Sequence, residues 1–184
     1  MPISQLDTVT ALVVVDLQSG TMSNPTVHPI GEIVATSGRL AAAFRERGLP
    51  VVLATADGTP AGRNDYGRPG GPWPESMTVV SPDLRARADD LTVTRSGWSV
   101  FGSDLHERLR ALGVTQVVLV GVATSFGVES SARAAYDLGY SVTIVIDAIT
   151  DVRPESHENS VSRVFPALGE TGTVADVLEL LAAR

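Results

Sequence analysis

Five short runs of apolar, mostly β-branched residues recur along the chain, and segments with helical spacing lie between them. The runs are ALVVVD (11–16), PVVLAT (50–55), LTVTR (91–95), QVVLVGV (116–122) and SVTIVID (141–147). Runs that are apolar at nearly every position are typical of strands covered on both faces, as in a parallel sheet. This alternation predicts a doubly wound α/β domain of about six strands with right-handed crossovers.

The segments between the runs carry helix signals. In residues 102–113, Leu105, Leu109 and Leu112 form one apolar stripe, and Gly113 is a candidate C-cap. Gly48 has the same role after residues 31–47. A short edge strand is predicted near ETGTV (170–174), and further helices are predicted over 127–139, 155–168 and 173–184.

The composition excludes several classes of protein. A length of 184 residues predicts one domain, residues 1–184, around a single core. The formal net charge of -7 argues against nucleic acid or an anionic membrane as the main partner. The absence of cysteine excludes disulfides and thiolate catalysis. Because neither a signal peptide nor an apolar run near the ~20 residues of a membrane span is visible, we expect a soluble, cytoplasmic protein.

One long segment, residues 57–82, interrupts the alternation with several glycines and prolines and no clear periodicity. Loops of this kind are usually functional or disordered. We interpret the segment either as a solvated crossover or as an active-site flap. The flap is favoured because it carries side chains suited to gripping a small polar ligand: Arg63, Tyr66, Arg68 and Trp73.

Ligands of open α/β sheets bind beyond the carboxyl ends of the strands, near a switch in strand order. This rule selects Asp16 and Arg95, which stand at the ends of predicted strands. Asp16 follows an apolar run, where a buried carboxylate needs a charged or hydrogen-bonding partner. The two would neutralise each other, either within a site or as a purely structural ion pair. The turn GVATSFG (121–127) offers backbone N–H groups at a helix N-terminus, where an oxyanion is favoured. Asp147 is predicted to cap or orient a loop.

Three blocks of the sequence together resemble the isochorismatase-like hydrolase superfamily. They are ALVVVDLQ (11–18), VTRSGWSVFGSDL (93–105), and GVATSFGVESSARAAYDLGY followed by SVTIVIDAITD (121–151). The resemblance covers nearly the whole chain and implies a three-layer α-β-α sandwich with a mostly parallel, six-stranded sheet. The cysteine hydrolases of the superfamily use an Asp, a Lys and a Cys. By position, Asp16 matches the Asp, Arg95 stands at the Lys position, and Gly127 stands at the Cys position.

The glycine at position 127 does not imply an inactive protein. The true isochorismatases of the superfamily also have Gly there and hydrolyse a vinyl ether without a covalent intermediate. The resemblance therefore implies a hydrolase in which Asp16 performs acid–base catalysis on a small anionic or cyclic metabolite. The alternative is a catalytically silent binding or scaffold protein that keeps the fold and the pocket after losing the Lys and the Cys.

Arg95 is the main departure from the family pattern. A guanidinium stays protonated, whereas a lysine amine can lose or share a proton. If Arg95 contacts Asp16, we expect it to lower the pKa of the Asp16 carboxyl and to favour a general base over a general acid. Arg95 can instead bind a substrate carboxylate at two points, which leaves Asp16 less perturbed.

Further residues are candidates for contact with a small-molecule substrate. Trp98 is interpreted either as core packing or as a pocket wall for a planar substrate. The resemblance also implies a cis peptide bond between Val122 and Ala123 and a homo-oligomer, either a dimer or a tetramer. The substrate-binding candidates are Gln18, Arg63, Trp73, Trp98, Ala123, Thr124 and Phe126.

No metal and no cofactor are predicted. The metal-binding members of the superfamily hold the ion with an Asp and His residues after the second strand, and ATADGTPAGRND (54–65) contains no His. The chain's three histidines lie in separate segments without ligand spacing. His106 and His157 are interpreted as solvated helix residues, and His28 is a candidate pocket residue.

Overall fold

The structure, a computed structural model, describes residues 3–67 and 70–184. The strands, in chain order, are β1 (Thr10–Val15), β2 (Val51–Ala56), β3 (Gly58–Thr59), β4 (Gly71–Pro72), β5 (Leu91–Arg95), β6 (Gln116–Val122), β7 (Ser141–Thr150) and β8 (Glu170–Gly172). The α-helices are α1 (Ser19–Met22), α2 (Ile30–Glu46), α3 (Leu105–Ala111), α4 (Glu129–Asp137), α5 (Pro154–Asn159), α6 (Phe165–Leu168) and α7 (Val174–Ala182). Two π-helical turns, Thr124–Val128 and Ser160–Val164, lead into α4 and join α5 to α6.

Six of these strands form one sheet in the order β5-β2-β1-β6-β7-β8, and all neighbours pair in parallel. The predicted doubly wound α/β sheet is confirmed, with β8 as the predicted short edge strand. The chain builds the sheet outward from β1 to β2 and β5, then returns to β6 on the other side of β1. Because the strand order reverses between β1 and β6, the carboxyl ends of these two strands mark the expected place of a ligand site.

The sheet separates two apolar cores because side chains alternate along each strand. On β1, Val13 and Val15 contact the core beneath α3, α4 and α6, whereas Leu12 and Val14 contact the core beneath α2 and α7. Helices on both faces explain why the strands are apolar throughout, and they form the three layers that the resemblance implies. In the part of the chain that the structure describes, no helix is both long enough and apolar enough to cross a membrane.

Strands β1 and β6 approach each other closely at Gly121, which pairs with Val15. Gly121 has a φ of +118°, and a β-carbon built on it would overlap the carbonyl oxygen of Val15. Only glycine combines this backbone conformation with this lack of space. The glycine thereby lets the two strands stay paired up to the edge from which the candidate site residues project.

Candidate active site

Asp16 directly follows β1 and leaves the strand with a left-handed backbone, at a φ of +52°. Aspartate is one of the few residue types enriched in this conformation. Its N–H donates to the carbonyl of Ala54 at 2.9 Å, and its own carbonyl accepts from the Gln18 N–H (2.9 Å) and the Thr21 hydroxyl. These bonds fix the turn that presents the carboxylate at the carboxyl edge of the sheet.

The carboxylate of Asp16 is paired with the guanidinium of Arg95 through both oxygens. Nη1 of Arg95 donates to Oδ1, and Nη2 donates to Oδ2 at 2.8 Å. Nη2 also donates to the carbonyl of Trp98 at 3.0 Å. Only 7% of Asp16 and 6% of Arg95 is exposed. Because β2 lies between β1 and β5, the arginine side chain bridges two strand spacings, about 10 Å, to reach its partner.

Burial raises the pKa of the Asp16 carboxyl above its ordinary value, because removing the carboxylate from water disfavours the charged form. The hydrogen bonds and the charge of Arg95 act in the opposite direction and are outweighed. Arg95 thus acts on this pKa in the predicted direction, but the net shift is upward, because the expectation considered the cation and not the depth of the site. A raised pKa suits an acid that delivers a proton.

Gly127 lies in the π-helical turn after β6 and contacts the same carboxylate. A β-carbon built on Gly127 would lie 3.1 Å from Oδ2 of Asp16 and 2.9 Å from Cγ1 of Val15. The second distance is too short for a real contact, so a side chain here requires its neighbours to move. The structure thus brings Asp16, Arg95 and Gly127 together, as predicted. The peptide bond between Val122 and Ala123, just before the turn, is cis.

Some of the N–H groups of this turn are already used within the protein. Ser125 donates its N–H (2.7 Å) and its hydroxyl (2.9 Å) to Oδ2 of Asp151. The N–H of Phe126 donates to the carbonyl of the half-buried Ala123 at 3.1 Å. The N–H groups of Ser125 and Phe126 are therefore not free to bind an oxyanion. The predicted oxyanion site can use only other N–H groups of the turn.

Gln18 holds the flap to the sheet. Its side chain is fully buried, Oε1 accepts from the N–H of Ala56 at 2.7 Å, and Nε2 donates to the carbonyls of Ala56 and Met77, both at 2.8 Å. Both N–H bonds of the amide have backbone acceptors, so the predicted contact of Gln18 with substrate is not supported. The local sequence did not reveal this role because Met77 lies far along the chain.

The rings of Trp98 and Phe126 pack against each other and form an aromatic wall. Their ring centroids are 5.0 Å apart with an edge-to-face angle of 61°. Trp98 is 58% exposed and Phe126 is half-buried, so Trp98 is not the core residue of the alternative interpretation. The backbone carbonyl of Trp98 binds Arg95, so the main chain at Trp98 lies next to the Asp16–Arg95 pair.

The flap, residues 57–82, begins beside the end of β5. The N–H of Asp57 donates to the carbonyl of Arg95 at 3.1 Å, and the N–H of Trp73 donates to the carbonyl of Asp57 at 2.7 Å. Strands β3 and β4 close the base of the flap as a short antiparallel pair. These bonds place the half-buried Trp73 at the rim of the site, on the side of β5.

The tip of the flap reaches the opposite side of the site. The Tyr66 hydroxyl accepts a hydrogen bond from Nη1 of Arg153 at 2.9 Å, and that guanidinium lies 5.4 Å from the Tyr66 ring centroid. Since Arg153 follows β7, the flap extends from β2 past β1 and β6, about 14 Å along the sheet edge. This span favours an active-site flap over a solvated crossover. Arg63 is exposed on the flap, and Arg68 lies outside the described residues.

Comparison with known proteins agrees with this geometry. Residues 10–176 match the sequence model of the Isochorismatase domain. The chain belongs to the isochorismatase family.

Relatives within the isochorismatase family align over most of the chain. The isochorismatase family protein YecD of Escherichia coli O157:H7 is 36% identical over 182 residues, 94% of this chain and 96% of YecD. The solved structure of an isochorismatase family protein from Burkholderia thailandensis is 35% identical with a TM-score of 0.92, over 97% of this chain and 98% of that one. The ureidoacrylate amidohydrolase RutB of Pseudomonas syringae pv. syringae (strain B728a) is 26% identical over 178 residues, 79% of this chain and 72% of RutB. The family thus includes hydrolases.

His157 is 8% exposed, so the prediction of a solvated helix residue is wrong. Its Nδ1 lies 2.9 Å from Oγ1 of Thr124, and its Nε2 lies 3.3 Å from Nε2 of His28. Burial lowers the pKa of His157 below its ordinary value, His28 lowers it further, and Asp151 and Glu158 oppose them. Thr124 is itself fully buried with its hydroxyl bound to this ring, so its predicted contact with substrate is not supported.

No local sequence pattern marks this histidine pair, because 129 positions separate its members. His106 lies half-buried on α3, and its Nδ1 is 3.0 Å from the Tyr140 hydroxyl. Asp147 accepts the N–H of Val174 at 2.8 Å and so caps α7, as predicted. Among residues 3–67 and 70–184, no group of three or more His, Asp or Glu is arranged to hold a metal ion.

Proposed function

We propose that the protein is a non-cysteine hydrolase that acts on a small anionic or cyclic metabolite through acid–base catalysis by Asp16, without a covalent intermediate. The proposal rests on how close position 127 lies to the carboxylate of Asp16. A β-carbon at Gly127 would meet the Asp16 carboxylate at 3.1 Å and Val15 at 2.9 Å. A side chain at the position that the resemblance assigns to a nucleophilic thiol therefore requires Val15 to shift, and it would lie directly against the acid.

The arrangement supports a proton-transfer cycle on Asp16. In this cycle Asp16 gives a proton to the substrate, and Arg95 stabilises the carboxylate that remains. Water then adds to the cationic carbon of the substrate, and the carboxylate takes up the proton that this water releases. The adduct, a hemiketal when the substrate is a vinyl ether, then collapses: its C–O bond to the leaving group breaks, and the leaving oxygen takes the hydroxyl proton of the adduct and departs as an alcohol. Because Arg95 stays charged throughout, it stabilises Asp16 and carries no proton itself.

The surroundings of Asp16 favour a substrate with a flat or cyclic part and an anionic group. The aromatic wall of Trp98 and Phe126 offers an apolar surface for such a ring. The Nε–H of Arg95 is buried without an acceptor among the described residues, so a substrate oxygen would satisfy it once neighbouring side chains move to admit the substrate. Arg63 and Arg153 add positive charge near the flap, which attracts anions.

A binding protein without catalytic activity is the second candidate function. One observation favours it: the side chains of Asp16 and Arg95 are 10% and 4% exposed, and their charges neutralise each other. A buried pair with only a structural role has the same geometry. The two candidates differ in the fate of the bound ligand, since only the hydrolase transfers the proton of Asp16 to it.

Turnover measured on a panel of small metabolites, including vinyl ethers and cyclic amides, tests the proposal. The wild type is compared with Asp16→Asn and, as a matched control, with Asp89→Asn, which changes an exposed carboxylate. We expect at least one compound to be hydrolysed, with a loss of about 100-fold or more in Asp16→Asn and none in the control. A compound that raises the Tm of the wild type and of Asp16→Asn equally, and is never hydrolysed, would instead identify the binding protein.

We also infer a homo-oligomer, which extends the expectation from the family resemblance. Its support is an exposed apolar surface at the end of α4, where Tyr136 is 54% and Leu138 is 40% exposed. Light scattering at micromolar concentration measures the mass directly. A mass of 19.3 kDa, that of one chain, would refute this inference.

A further inference from the structure

His28 and His157 face each other with their Nε2 atoms 3.3 Å apart. Their ring centroids are 5.0 Å apart and their planes meet at 77°. Two imidazoles aligned head-on along one hydrogen bond of this length would have centroids roughly 5.5 Å apart. The shorter distance shows that the rings are tilted off such an axis, and it fits two nitrogens directed at a shared point.

The gap between the two nitrogens matches the span of a metal coordination sphere. Zinc binds imidazole nitrogen at about 2.0–2.1 Å, and two ligands of a tetrahedral ion are then roughly 3.3 Å apart. The observed separation is 3.3 Å. Neutral imidazole suits zinc, nickel and copper in particular.

We propose that His28 and His157 form a surface site for a divalent transition-metal ion of the zinc, nickel and copper class. Each ring contributes one ligand through Nε2. Water or a small anion completes the coordination, because no third His, Asp or Glu is in position among the described residues. The proposed site uses neither Asp16 nor Arg95, and it does not depend on the proposed hydrolase activity.

Contacts behind the two rings hold them in place. Nδ1 of His157 lies 2.9 Å from the Thr124 hydroxyl, and when this nitrogen carries the proton, Nε2 is left bare for a metal ion. The N–H of His28 donates to the Thr150 hydroxyl at 2.9 Å, and its carbonyl accepts from the Thr26 hydroxyl at 2.7 Å. One histidine is thus oriented through its ring and the other through its backbone.

Access also favours a metal ion at this position. His157 is buried, whereas His28 is exposed, so one side of the pair is open to solvent. An ion therefore has an entry path, which a workable site requires.

Titration of the metal-free, full-length protein with zinc chloride, followed by calorimetry near pH 7.5, tests the proposal. The variants are His28→Gln and His157→Gln, and His106→Gln is the matched control because it removes the chain's remaining histidine. We expect saturable binding that weakens about tenfold or more in either of the first two variants and is unchanged in the control. Binding should also weaken near pH 5.5, because protons compete for the nitrogens.

A second readout guards against loss of the fold. Zinc should raise the Tm of the wild type and leave that of the double variant His28→Gln/His157→Gln unchanged. Since His28 is exposed, His28→Gln is the deciding variant if circular dichroism shows that His157→Gln does not fold. The proposal is overturned if the wild type does not bind zinc, or if His28→Gln binds it as tightly as the wild type does.

Discussion

The guanidinium of Arg95 donates hydrogen bonds to both carboxylate oxygens of Asp16 across strand β2, and both side chains are buried. The pair therefore contributes to two properties at once. It determines how readily Asp16 gives up a proton, and it couples the ends of β1 and β5. Turnover measurements test the first property, and urea denaturation tests the second.

Removing the cation of this pair should destabilise the fold. Arg95→Met leaves a buried carboxylate without its partner, so we expect the free energy of unfolding to fall by about 3 kcal/mol. Urea denaturation measures the change. Arg133→Met is the matched control, because the side chain of Arg133, which pairs with Glu129, is 55% exposed, and an i,i+4 pair with an exposed cation contributes about 0.5 kcal/mol. Equal, small losses in the two variants would contradict this prediction.

Gly127→Cys should lower native turnover and create no amidase activity. The added β-carbon would press on Val15 and on the carboxylate of Asp16, at 2.9 and 3.1 Å. Steady-state turnover of the native substrate and of amides measures both effects. Gly31→Cys, where a β-carbon meets nothing within 4 Å, is the control for the new thiol.

A second substitution tests the steric explanation for Gly127. Val15→Ala removes the closest obstructing atom, so Gly127→Cys/Val15→Ala should recover part of the turnover that Gly127→Cys loses. Gain of amidase activity in Gly127→Cys, with native turnover retained, would show that the glycine is only a lost cysteine.

Protein stability should fall as the pH drops through the range in which unfolded histidine titrates. Because burial lowers the pKa of His157, its contribution to stability is present above the ordinary value of 6.5 and is lost as the pH falls towards the folded-state value. Urea denaturation between about pH 7.5 and 5.5, with chelator present, measures the slope. The slope should become shallower in His157→Gln and stay unchanged in His106→Gln. Identical slopes in the wild type and His157→Gln would exclude this role.

The contact between Tyr66 and Arg153 should hold the tip of the flap in place. Tyr66→Phe removes the hydroxyl that accepts the hydrogen bond but keeps the ring near the guanidinium. We expect faster limited proteolysis within residues 57–82, by about fivefold for a lost bond of about 1 kcal/mol. Tyr136→Phe, an exposed tyrosine on α4, is the control. Equal cleavage rates in the wild type and Tyr66→Phe would show that the hydrogen bond does not restrain the flap.

The strands and the place of the site follow from the sequence because each depends on a simple regularity. A strand covered on both faces must be apolar throughout, so its pattern is visible in a short run such as residues 116–122. The carboxyl ends of parallel strands share one edge, which is why Asp16 and Arg95 meet although 79 positions separate them. Neither inference requires knowledge of how deeply a side chain is buried or of which groups it contacts.

The features that the sequence does not predict depend on how deeply side chains are buried and on which groups they contact. The pKa of Asp16 rises because burial outweighs the nearby cation, and the residues around position 16 do not reveal how deeply it is buried. The amide of Gln18 is bound by backbone groups, which every residue carries and which therefore leave no mark in the sequence. The contact between His28 and His157 joins a loop to a distant helix, and no local pattern encodes it.

The left-handed backbone at position 16 limits which acid can occupy it. Aspartate and asparagine are enriched in this conformation among residues with side chains, whereas glutamate has no such preference. A saturation library at this position should therefore yield folded proteins mainly with Asn and Gly, which lack the acid, while Glu keeps the acid but strains the chain. The conformation of the main chain at position 16 therefore favours aspartate over glutamate, independently of any requirement of catalysis.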